Sequence, residues 1–331
     1  MGDAILSVPC LRAIRRHMVD SRISFLASRT VREVLQPCPF NDDWIDSTDR
    51  GRISIGIDLR RHAFSTAVLL KNSFSSGLGA ILSGAKRRIG YARDCRTLLL
   101  TDRLTPIHDE KGKLKPIGMI DYYLRIAEYL GCEIPDRSLE LPVAEEDVRG
   151  VSAKLPSVMG GSQKVVVLVA GGSFGPSKIW PADRFAAIAR RIVDSCDATV
   201  VVSVAPNETE RSIAREICRL SERKLVNLGE SPLTLGELKA LFAEADLVVC
   251  NDTGPRHIAT ALGRKVITLF GPNNPVWTTT NYDREIQIVG AADCAPCDKP
   301  RCTQTQRICM EAISVDQVWN AVEKMLEKDT T

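Results

Sequence analysis

The stretch C-N-D-T-G-P-R-H at residues 250–257 decides the fold of this chain. A largely apolar run at residues 246–250 leads into it and predicts a buried strand, and residues 258–262 predict a helix. Because the first backbone N–H groups of a helix have no partner within the helix, such a junction can hold an anion. A second apolar strand at residues 266–270 completes a strand–turn–helix–strand unit. This unit is typical of parallel sheets, which bind ligands at the carboxyl ends of their strands.

The C-terminal half repeats this alternation ahead of the central stretch. Strands are predicted at residues 165–170, 199–204 and 225–228, and helices at residues 182–194, 208–220 and 235–245. Strands that alternate with helices predict a parallel sheet with right-handed crossovers.

The N-terminal half is less regular. Its predicted strands lie at residues 22–27, 53–59 and 88–91, and its clearest helix lies at residues 116–130. Prolines and a Gly-Gly pair mark residues 139–161 as a boundary region. We therefore predict two α/β domains, residues 1–150 and residues 151–331.

The composition excludes several classes of protein. A chain of 331 residues is long enough for two domains, and 44% hydrophobic with 26% charged residues is a globular composition. The formal net charge of +3 and 5% aromatic residues give no support to nucleic-acid binding. No apolar run approaches the roughly 18 residues of a membrane span. Eleven cysteines without a secretory signal indicate reduced thiols in the cytoplasm.

A glycine loop, G-G-S-F-G-P-S-K at residues 171–178, follows the predicted strand at residues 165–170. Glycines allow a ligand to approach the backbone closely, and Lys178 supplies a positive charge. The spacing matches neither the Walker loop nor the dinucleotide fingerprint. A flexible surface loop with a solvated lysine is the alternative.

The central stretch has its own structural alternative, in which Asp252 caps the helix and His257 is a structural group. The combination of two turns favours a binding site. Both turns follow strands of one parallel sheet, so both are expected to line one crevice.

Several motifs closely resemble glycosyltransferase family 9, the heptosyltransferases of lipopolysaccharide assembly. The family signature is matched by D-T-G-P-R-H-I-A at residues 252–259, A-L-G at 261–263 and L-F-G-P at 269–272. F-G-P-S-K-I-W-P at residues 174–181 resembles the donor-phosphate loop of the heptosyltransferase II branch. L-K-N-S-F at 70–74 and R-I-G-Y at 88–91 resemble acceptor-side segments of that branch, and G-D at 2–3 resembles the first loop of the family.

The resemblance implies a GT-B fold, in which two Rossmann-like domains with parallel sheets face each other across a cleft. The C-terminal domain would hold the nucleotide-sugar and the N-terminal domain the acceptor. Family members have a strand before the Gly-Asp pair, whereas here only Met1 precedes it. We therefore expect the first N-terminal strand to be missing from the sheet.

The resemblance also assigns roles to individual residues. Asp3 would be the catalytic base, and Lys178 would stabilise the departing diphosphate; the alternative for Asp3 is a helix cap. The remaining positions are Ser173, Lys178, Thr253 and Gly254 at the donor phosphates, Glu208 near the ribose, Asp252 and His257 at the sugar–phosphate end, and Lys71, Asn72 and Arg88 on the acceptor side.

The implied reaction is an inverting transfer of heptose from ADP-L-glycero-D-manno-heptose to the lipopolysaccharide inner core. Such a transfer needs a base for the acceptor proton and a cation for the leaving diphosphate. The acceptor would be Kdo-lipid A or heptosyl-Kdo-lipid A at the cytoplasmic face of the inner membrane, and no further cofactor is expected. Another family 9 transferase, a GT-B epimerase and a catalytically impaired binding protein remain alternatives.

Two clusters stay outside these assignments. Cys294, Cys297, Cys302 and Cys309 could bind zinc or an iron–sulfur cluster, but their spacing fits neither pattern well, so reduced structural thiols are preferred. Basic residues concentrate in the N-terminal half, at Lys71, residues 86–88, Arg93, Arg96, Lys111, Lys113 and Lys115. They form either a solvated loop surface or a surface attracted to anionic lipid headgroups.

Overall fold

The structure is a computed structural model that describes residues 1–172 and 174–327. In the N-terminal half the helices are α1 (Gly2–Leu6), α2 (Val8–His17), α3 (Arg29–Leu35), α4 (Arg52–Leu59), α5 (Phe74–Leu82) and α6 (Met119–Tyr129). The strands are β1 (Ser24–Ala27), β2 (Asp43–Asp46), β3 (Thr66–Leu69), β4 (Arg87–Tyr91) and β5 (Asp102–Leu104). Helices α7 (Glu145–Lys154) and α8 (Pro156–Met159) connect the two halves.

The C-terminal half alternates strand and helix as predicted. Its strands are β6 (Lys164–Val169), β7 (Ala198–Ser203), β8 (Val226–Asn227), β9 (Leu247–Asn251), β10 (Lys265–Phe270) and β11 (Glu285–Val289). Its helices are α9 (Ala182–Ser195), α10 (Glu208–Ser221), α11 (Leu235–Glu244), α12 (Gly254–Ala261), α13 (Ile308–Glu311) and α14 (Val315–Leu326).

The C-terminal sheet is parallel, with the strand order β11-β10-β9-β6-β7-β8. Val169 of β6 pairs with Cys250 of β9, and Asn251 pairs with Leu269 of β10. The carboxyl ends of these three strands are therefore level at one edge of the sheet. Apolar side chains cover both faces, with α9, α10 and α14 on one side and α11 and α12 on the other.

The N-terminal strands form two separate parallel sheets, β1-β2 and β3-β4-β5. The Tyr91 ring at the end of β4 stacks on Tyr122 of α6, with the two ring centres 3.8 Å apart. This contact packs α6 over the carboxyl end of the second sheet.

The strand predicted at residues 53–59 is wrong, because these residues form helix α4. Ile53, Ile55 and Ile57 alternate with other residues, which imitates the period of a strand. In the helix, Ile55 and Leu59 are buried one turn apart, whereas Ile53 and Ile57 are exposed. The apolar residues therefore divide between the core and the outer surface of the helix.

The boundary region also differs from its prediction as a linker, because α7 and α8 occupy most of it. Helix α7 packs against α11 of the C-terminal half. The buried Lys239 of α11 donates hydrogen bonds to the carbonyl oxygens of Gln36 and Pro142. The bond to Pro142 is 3.1 Å long. The predicted domain boundary at residues 150 and 151 lies within α7, and the division at that point stays a prediction.

The two halves meet where α1 packs against α12. A Cβ atom added to Gly2 would lie 3.2 Å from Cδ2 of His257, so the two helices approach closely. This contact brings the Gly-Asp pair to the strand–helix turn of the central stretch. Over the part of the chain that the structure describes, no helix is long and apolar enough to cross a bilayer.

Candidate active site

Asn251, the last residue of β9, joins the two predicted binding turns. Its side chain is fully buried, and its Nδ2 atom donates to the carbonyl oxygens of Ala170 and Gly171, each 3.2 Å away. Its Oδ1 atom accepts a hydrogen bond from the backbone N–H of Trp180. The amide therefore holds both ends of the glycine loop against the central strand. Its role was not predicted, because it depends on residues about 80 positions away.

The glycine loop is held from its outer side by the segment at residues 297–307. The backbone N–H of Ser177 donates to the carbonyl of Pro300, and its hydroxyl donates to the carbonyl of Lys299 at 2.7 Å. Arg307 donates to the carbonyl of Ile179 at 2.8 Å. These bonds fix the end of the loop that carries Lys178. Ser173, predicted at the donor phosphates, lies outside the described residues.

Lys178 and Asp252 form a buried ion pair at the carboxyl edge of the sheet. The Nζ atom of Lys178 lies 2.7 Å from Oδ2 of Asp252 and 2.9 Å from its carbonyl oxygen. The same ammonium lies 4.6 Å from the ring centre of Phe174, where a cation–π contact adds to its placement. Burial opposes the charge of Asp252, but Lys178 and Arg256 outweigh it and lower the pKa of this carboxyl.

Arg256, in the first turn of α12, holds the carboxylate of Asp252 on the side opposite Lys178. Its guanidinium is fully buried and binds both carboxylate oxygens of Glu285, at 2.6 and 3.0 Å. It also donates to Oδ1 of Asp252 at 3.3 Å, and the Thr278 hydroxyl donates to the same oxygen at 3.2 Å. Lys178, Asp252, Arg256 and Glu285 thus form a chain of alternating charges that sums to zero. Both carboxylate oxygens of Asp252 are engaged by protein groups.

His257 of α12 is buried beside this chain of charges. Burial and the neighbouring Arg256 lower the pKa of His257 to about 3, so the imidazole is neutral at physiological pH. Its Nδ1 atom is buried and has no hydrogen-bond partner within the described chain. A neutral ring can still donate one hydrogen bond and accept another, so it can contact a polar ligand.

One cavity of about 140 Å³ lies between α1 and α12. Its walls bring together six of the predicted site residues: Asp3, Lys178, Asp252, Thr253, Gly254 and His257. Gly2, Leu6, Phe174 and Thr278, which were not predicted as site residues, complete the lining. Asp3 is exposed and enters from the N-terminal half, whereas the paired ammonium enters from the C-terminal half. Thr253 and Gly254 line this cavity at the start of helix α12, where backbone N–H groups have no partner within the helix.

Glu208, predicted near the ribose, is the first residue of α10 and does not line this cavity. It follows β7, the neighbour of β6, so it lies at the same edge of the sheet. Its exposed carboxylate pairs with Arg215, which lowers the pKa of Glu208. Its contact with a ribose stays a prediction.

The acceptor-side residues lie after β3 and at the start of β4. Asn72 accepts a hydrogen bond from Nη2 of Arg96 at 2.9 Å, and the carbonyl of Lys71 accepts from the same guanidinium. Arg88 instead donates to the carbonyls of Leu99 and Ala85, each at 2.8 Å. The acceptor roles of Lys71, Asn72 and Arg88 stay predictions.

Arg96 is fully buried, so its placement on an exposed basic surface is wrong. Besides its bonds to the acceptor segment, it donates to the carbonyl of Tyr91 and the hydroxyl of Ser76, each at 3.0 Å. Burial lowers its pKa. Arg96 therefore fixes the backbone between β3 and α5 from inside the domain.

The four C-terminal cysteines are free thiols: Cys294, Cys297, Cys302 and Cys309. Burial raises the pKa of Cys309, and the thiols of the other three add to this effect. Among residues 1–172 and 174–327, no three His, Cys, Asp or Glu side chains are grouped so as to hold a metal ion. The role of these thiols stays a prediction.

Comparison with known proteins identifies the family. Residues 52–307 match the sequence profile of glycosyltransferase family 9 (heptosyltransferase). The chain belongs to this family. It is similar to lipooligosaccharide heptosyltransferase 2 of Campylobacter jejuni, with 22% identity over 98% of this chain and 96% of the relative. It is also similar to lipopolysaccharide heptosyltransferase 2 of Escherichia coli, with 25% identity over 84% of this chain and 82% of the relative.

Solved structures confirm the fold of this family 9 glycosyltransferase. A family 9 glycosyl transferase from Veillonella parvula matches with a TM-score of 0.81 and 22% identity, over 98% of this chain and 94% of that one. ADP-heptose lps heptosyltransferase II of E. coli matches with a TM-score of 0.78 and 22% identity, over 99% and 96%. The architecture is GT-B, as the resemblance implied.

Proposed function

We propose that this enzyme transfers heptose from ADP-L-glycero-D-manno-heptose to the lipopolysaccharide inner core, with Kdo-lipid A or heptosyl-Kdo-lipid A as acceptor. The names of its relatives support heptose as the sugar and lipopolysaccharide as the acceptor class, and the name of the E. coli structure supports ADP-heptose as the donor. The observation that carries the chemistry is the shared cavity, in which Asp3 of one half faces Lys178 of the other. A carboxylate opposite a fixed cation suits a transfer that removes a proton at one end and releases an anion at the other.

The donor diphosphate would lie between Lys178 and the start of α12. An ammonium has three N–H donors, and Asp252 takes two of them, so one remains for a phosphate oxygen. The first N–H groups of α12, at Thr253 and Gly254, supply further donors and the positive end of the helix dipole. Asp252 holds the ammonium of Lys178 in place before the donor binds. The diphosphate therefore meets a site whose geometry is set in advance.

The acceptor hydroxyl would approach from the side of α1. Its oxygen forms a bond to the anomeric carbon while the bond from that carbon to the phosphate oxygen breaks. The electron pair of the broken bond leaves with ADP, and the hydroxyl proton passes to the carboxylate of Asp3. Attack opposite the leaving group inverts the anomeric centre.

His257 would contribute hydrogen bonds rather than charge. Its low pKa keeps the ring neutral, and His257 lies in the wall of the cavity. A neutral imidazole suits the hydroxyl groups of a sugar better than an additional cation would, because Lys178 already supplies charge for the phosphates.

The proposed location is the cytoplasmic face of the inner membrane. The donor is a water-soluble nucleotide-sugar and the acceptor is linked to lipid, so the reaction is expected where the two meet. The acceptor segment that follows β3, at residues 70–73, belongs to the half that would face the lipid.

The test is product analysis with purified protein, ADP-heptose and a lipid-free core oligosaccharide. The proposal expects one heptose added to the acceptor for each ADP released, with inverted anomeric configuration by NMR. Omitting the acceptor should abolish ADP release beyond slow hydrolysis. Conversion of the donor sugar to an epimer without any acceptor product would refute the proposal, and so would transfer from a UDP-sugar alone.

A further inference from the structure

The N-terminal half exposes apolar side chains on one outer surface, which we call the α4–α5 face. It consists of Ile53, Ile57, Phe74, Ile81 and Leu98, whose exposed fractions are 60, 54, 50, 36 and 86%. Ile53 and Ile57 lie one turn apart on α4, and Phe74 and Ile81 lie two turns apart on α5. Isolated exposed apolar residues are ordinary, but a contiguous set marks an interaction surface.

Close packing makes these residues one surface. Helices α4 and α5 pack side by side, and a Cβ atom added to Gly56 would lie 2.6 Å from Cβ of Leu82. The turn Thr97–Leu99 packs against α5 in the same way, because a Cβ atom on Gly77 would lie 3.0 Å from Leu99. Leu98, at the centre of that turn, projects into solvent beside the two helices.

The charge around this face is strongly positive. Residues 50–88 contain eight lysines and arginines and one acidic residue, Asp58. Arg50 and Arg61 both pair with that carboxylate. The chain as a whole is nearly balanced, with 44 basic and 41 acidic residues. One of the eight, Arg87, pairs with Asp102 outside this range. The positive charge is therefore concentrated in the segment that carries α4 and α5.

We propose that the α4–α5 face docks the enzyme on an anionic lipid bilayer. Apolar side chains at the boundary of headgroups and acyl chains, surrounded by lysine and arginine, are the combination that anionic membranes bind. A second copy of this chain would present the same positive charge to itself and would be repelled. Lipid headgroups supply the opposite sign.

The position of this face suits delivery of a lipid-linked acceptor, and in this respect alone the inference rests on the proposed function. Four residues, 70–73, separate the carboxyl end of β3 from the start of α5. Phe74 therefore lies close in sequence to Lys71 and Asn72, the predicted acceptor residues. A bilayer against the α4–α5 face would therefore lie near the predicted acceptor segment.

Vesicle flotation of the full chain tests the proposal. Phosphatidylcholine vesicles containing about one third phosphatidylglycerol should carry the wild-type protein, and pure phosphatidylcholine vesicles should carry much less. Raising NaCl from about 0.05 to 0.5 M should weaken binding to the anionic vesicles. Ile57→Asp should reduce that binding about 10-fold, because it removes apolar contact and adds a negative charge.

Val148→Asp is the matched control, since Val148 is an exposed apolar residue on helix α7, away from this face. It should bind vesicles like the wild type. Both variants should bind ADP normally, and Ile57→Asp should slow transfer to a vesicle-embedded acceptor while sparing a lipid-free acceptor. The proposal is overturned if the wild-type protein does not bind anionic vesicles, or if Ile57→Asp binds them as well as the wild type does. So does a wild-type dimer that Ile57→Asp dissociates without any effect on vesicles. Flotation needs no turnover, so failure of the proposed reaction would leave this result interpretable.

Discussion

Lys178 and Asp252 form a buried pair in which the ammonium lies 2.7 Å from a carboxylate oxygen and also donates to the carbonyl of Asp252. The pair joins the glycine loop after β6 to the turn after β9. Protein groups therefore fix the cation before any ligand arrives. A charge positioned in advance stabilises a departing anion without the cost of reorganising the site.

Lys178→Ala should lower kcat by about 10²- to 10³-fold, because the cation that stabilises the leaving diphosphate is lost. Steady-state kinetics of ADP release with a lipid-free acceptor measure this effect. Lys224→Ala, at an exposed lysine beyond α10, is the control and should keep wild-type kcat. If Lys178→Ala kept the wild-type kcat, the ammonium of Lys178 would not stabilise the leaving diphosphate.

Arg256→Met should destabilise the protein by about 3–5 kcal/mol, because it leaves the buried carboxylates of Glu285 and Asp252 without their shared partner. Urea unfolding followed by circular dichroism measures the change. Arg219→Met breaks an exposed pair with Glu216 and should have little effect. Equal losses in the two variants would show that burial of the Arg256 pair does not matter.

The stability of the protein should fall as pH decreases from about 6.5 to about 3, partly because of His257. The pKa of His257 is lowered to about 3 in the folded state, so over this range the unfolded state binds a proton that the folded state excludes. The contribution of His257 to the free energy of unfolding is fully present above the pKa of the unfolded state. It decreases as pH falls, by up to about 1.4 kcal/mol per pH unit.

His257→Leu should remove that part of the slope. The measurement is the unfolding free energy of wild type and variant at pH 7 and pH 5, which should converge toward lower pH. The matched control, His108→Leu, changes an exposed histidine and should keep the wild-type slope. Parallel pH profiles for the wild type and His257→Leu would contradict a neutral, buried ring.

Gly175→Ala should weaken ADP binding about 10-fold, which corresponds to about 1.4 kcal/mol. Gly175 has a φ of +150°, and an added Cβ atom would lie 2.2 Å from the carbonyl oxygen of Pro300. The loop must therefore shift, and Lys178 shifts with it. Gly51→Ala, where the added atom meets nothing within 4 Å, should bind ADP like the wild type. Titration calorimetry compares the two, and equal affinities would show that the loop tolerates the shift.

The sequence predicts the donor half well because its signals are local. The apolar runs before Asp252 and Gly171 are long enough to indicate buried strands, and glycine and Pro255 mark the turns. The structure places β9 and β10 within one residue of the predicted strands, whereas α12 begins at Gly254, four residues before the predicted start. The family resemblance then connects Asp3 with the same cavity, which no local pattern could do.

The sequence predicts less where a role depends on distant partners. Glu285 lies 29 residues from Arg256, and nothing in the sequence near either residue indicates their pairing. The N-terminal half was harder for a different reason. In α4, Ile53 and Ile57 are exposed whereas Ile55 is buried. Apolar residues on both sides of the helix give an alternating sequence pattern like that of a strand.

The role of Asp3 as the base is tested most directly by measuring both kcat and ADP affinity in Asp3→Asn. The substitution keeps the shape of a side chain that lines the cavity but removes its ability to take a proton. We expect kcat to fall by about 10²- to 10⁴-fold while the Kd for ADP, measured by titration calorimetry, stays at the wild-type value. Wild-type kcat in Asp3→Asn would contradict the assignment of this carboxylate as the base across the cleft from Lys178.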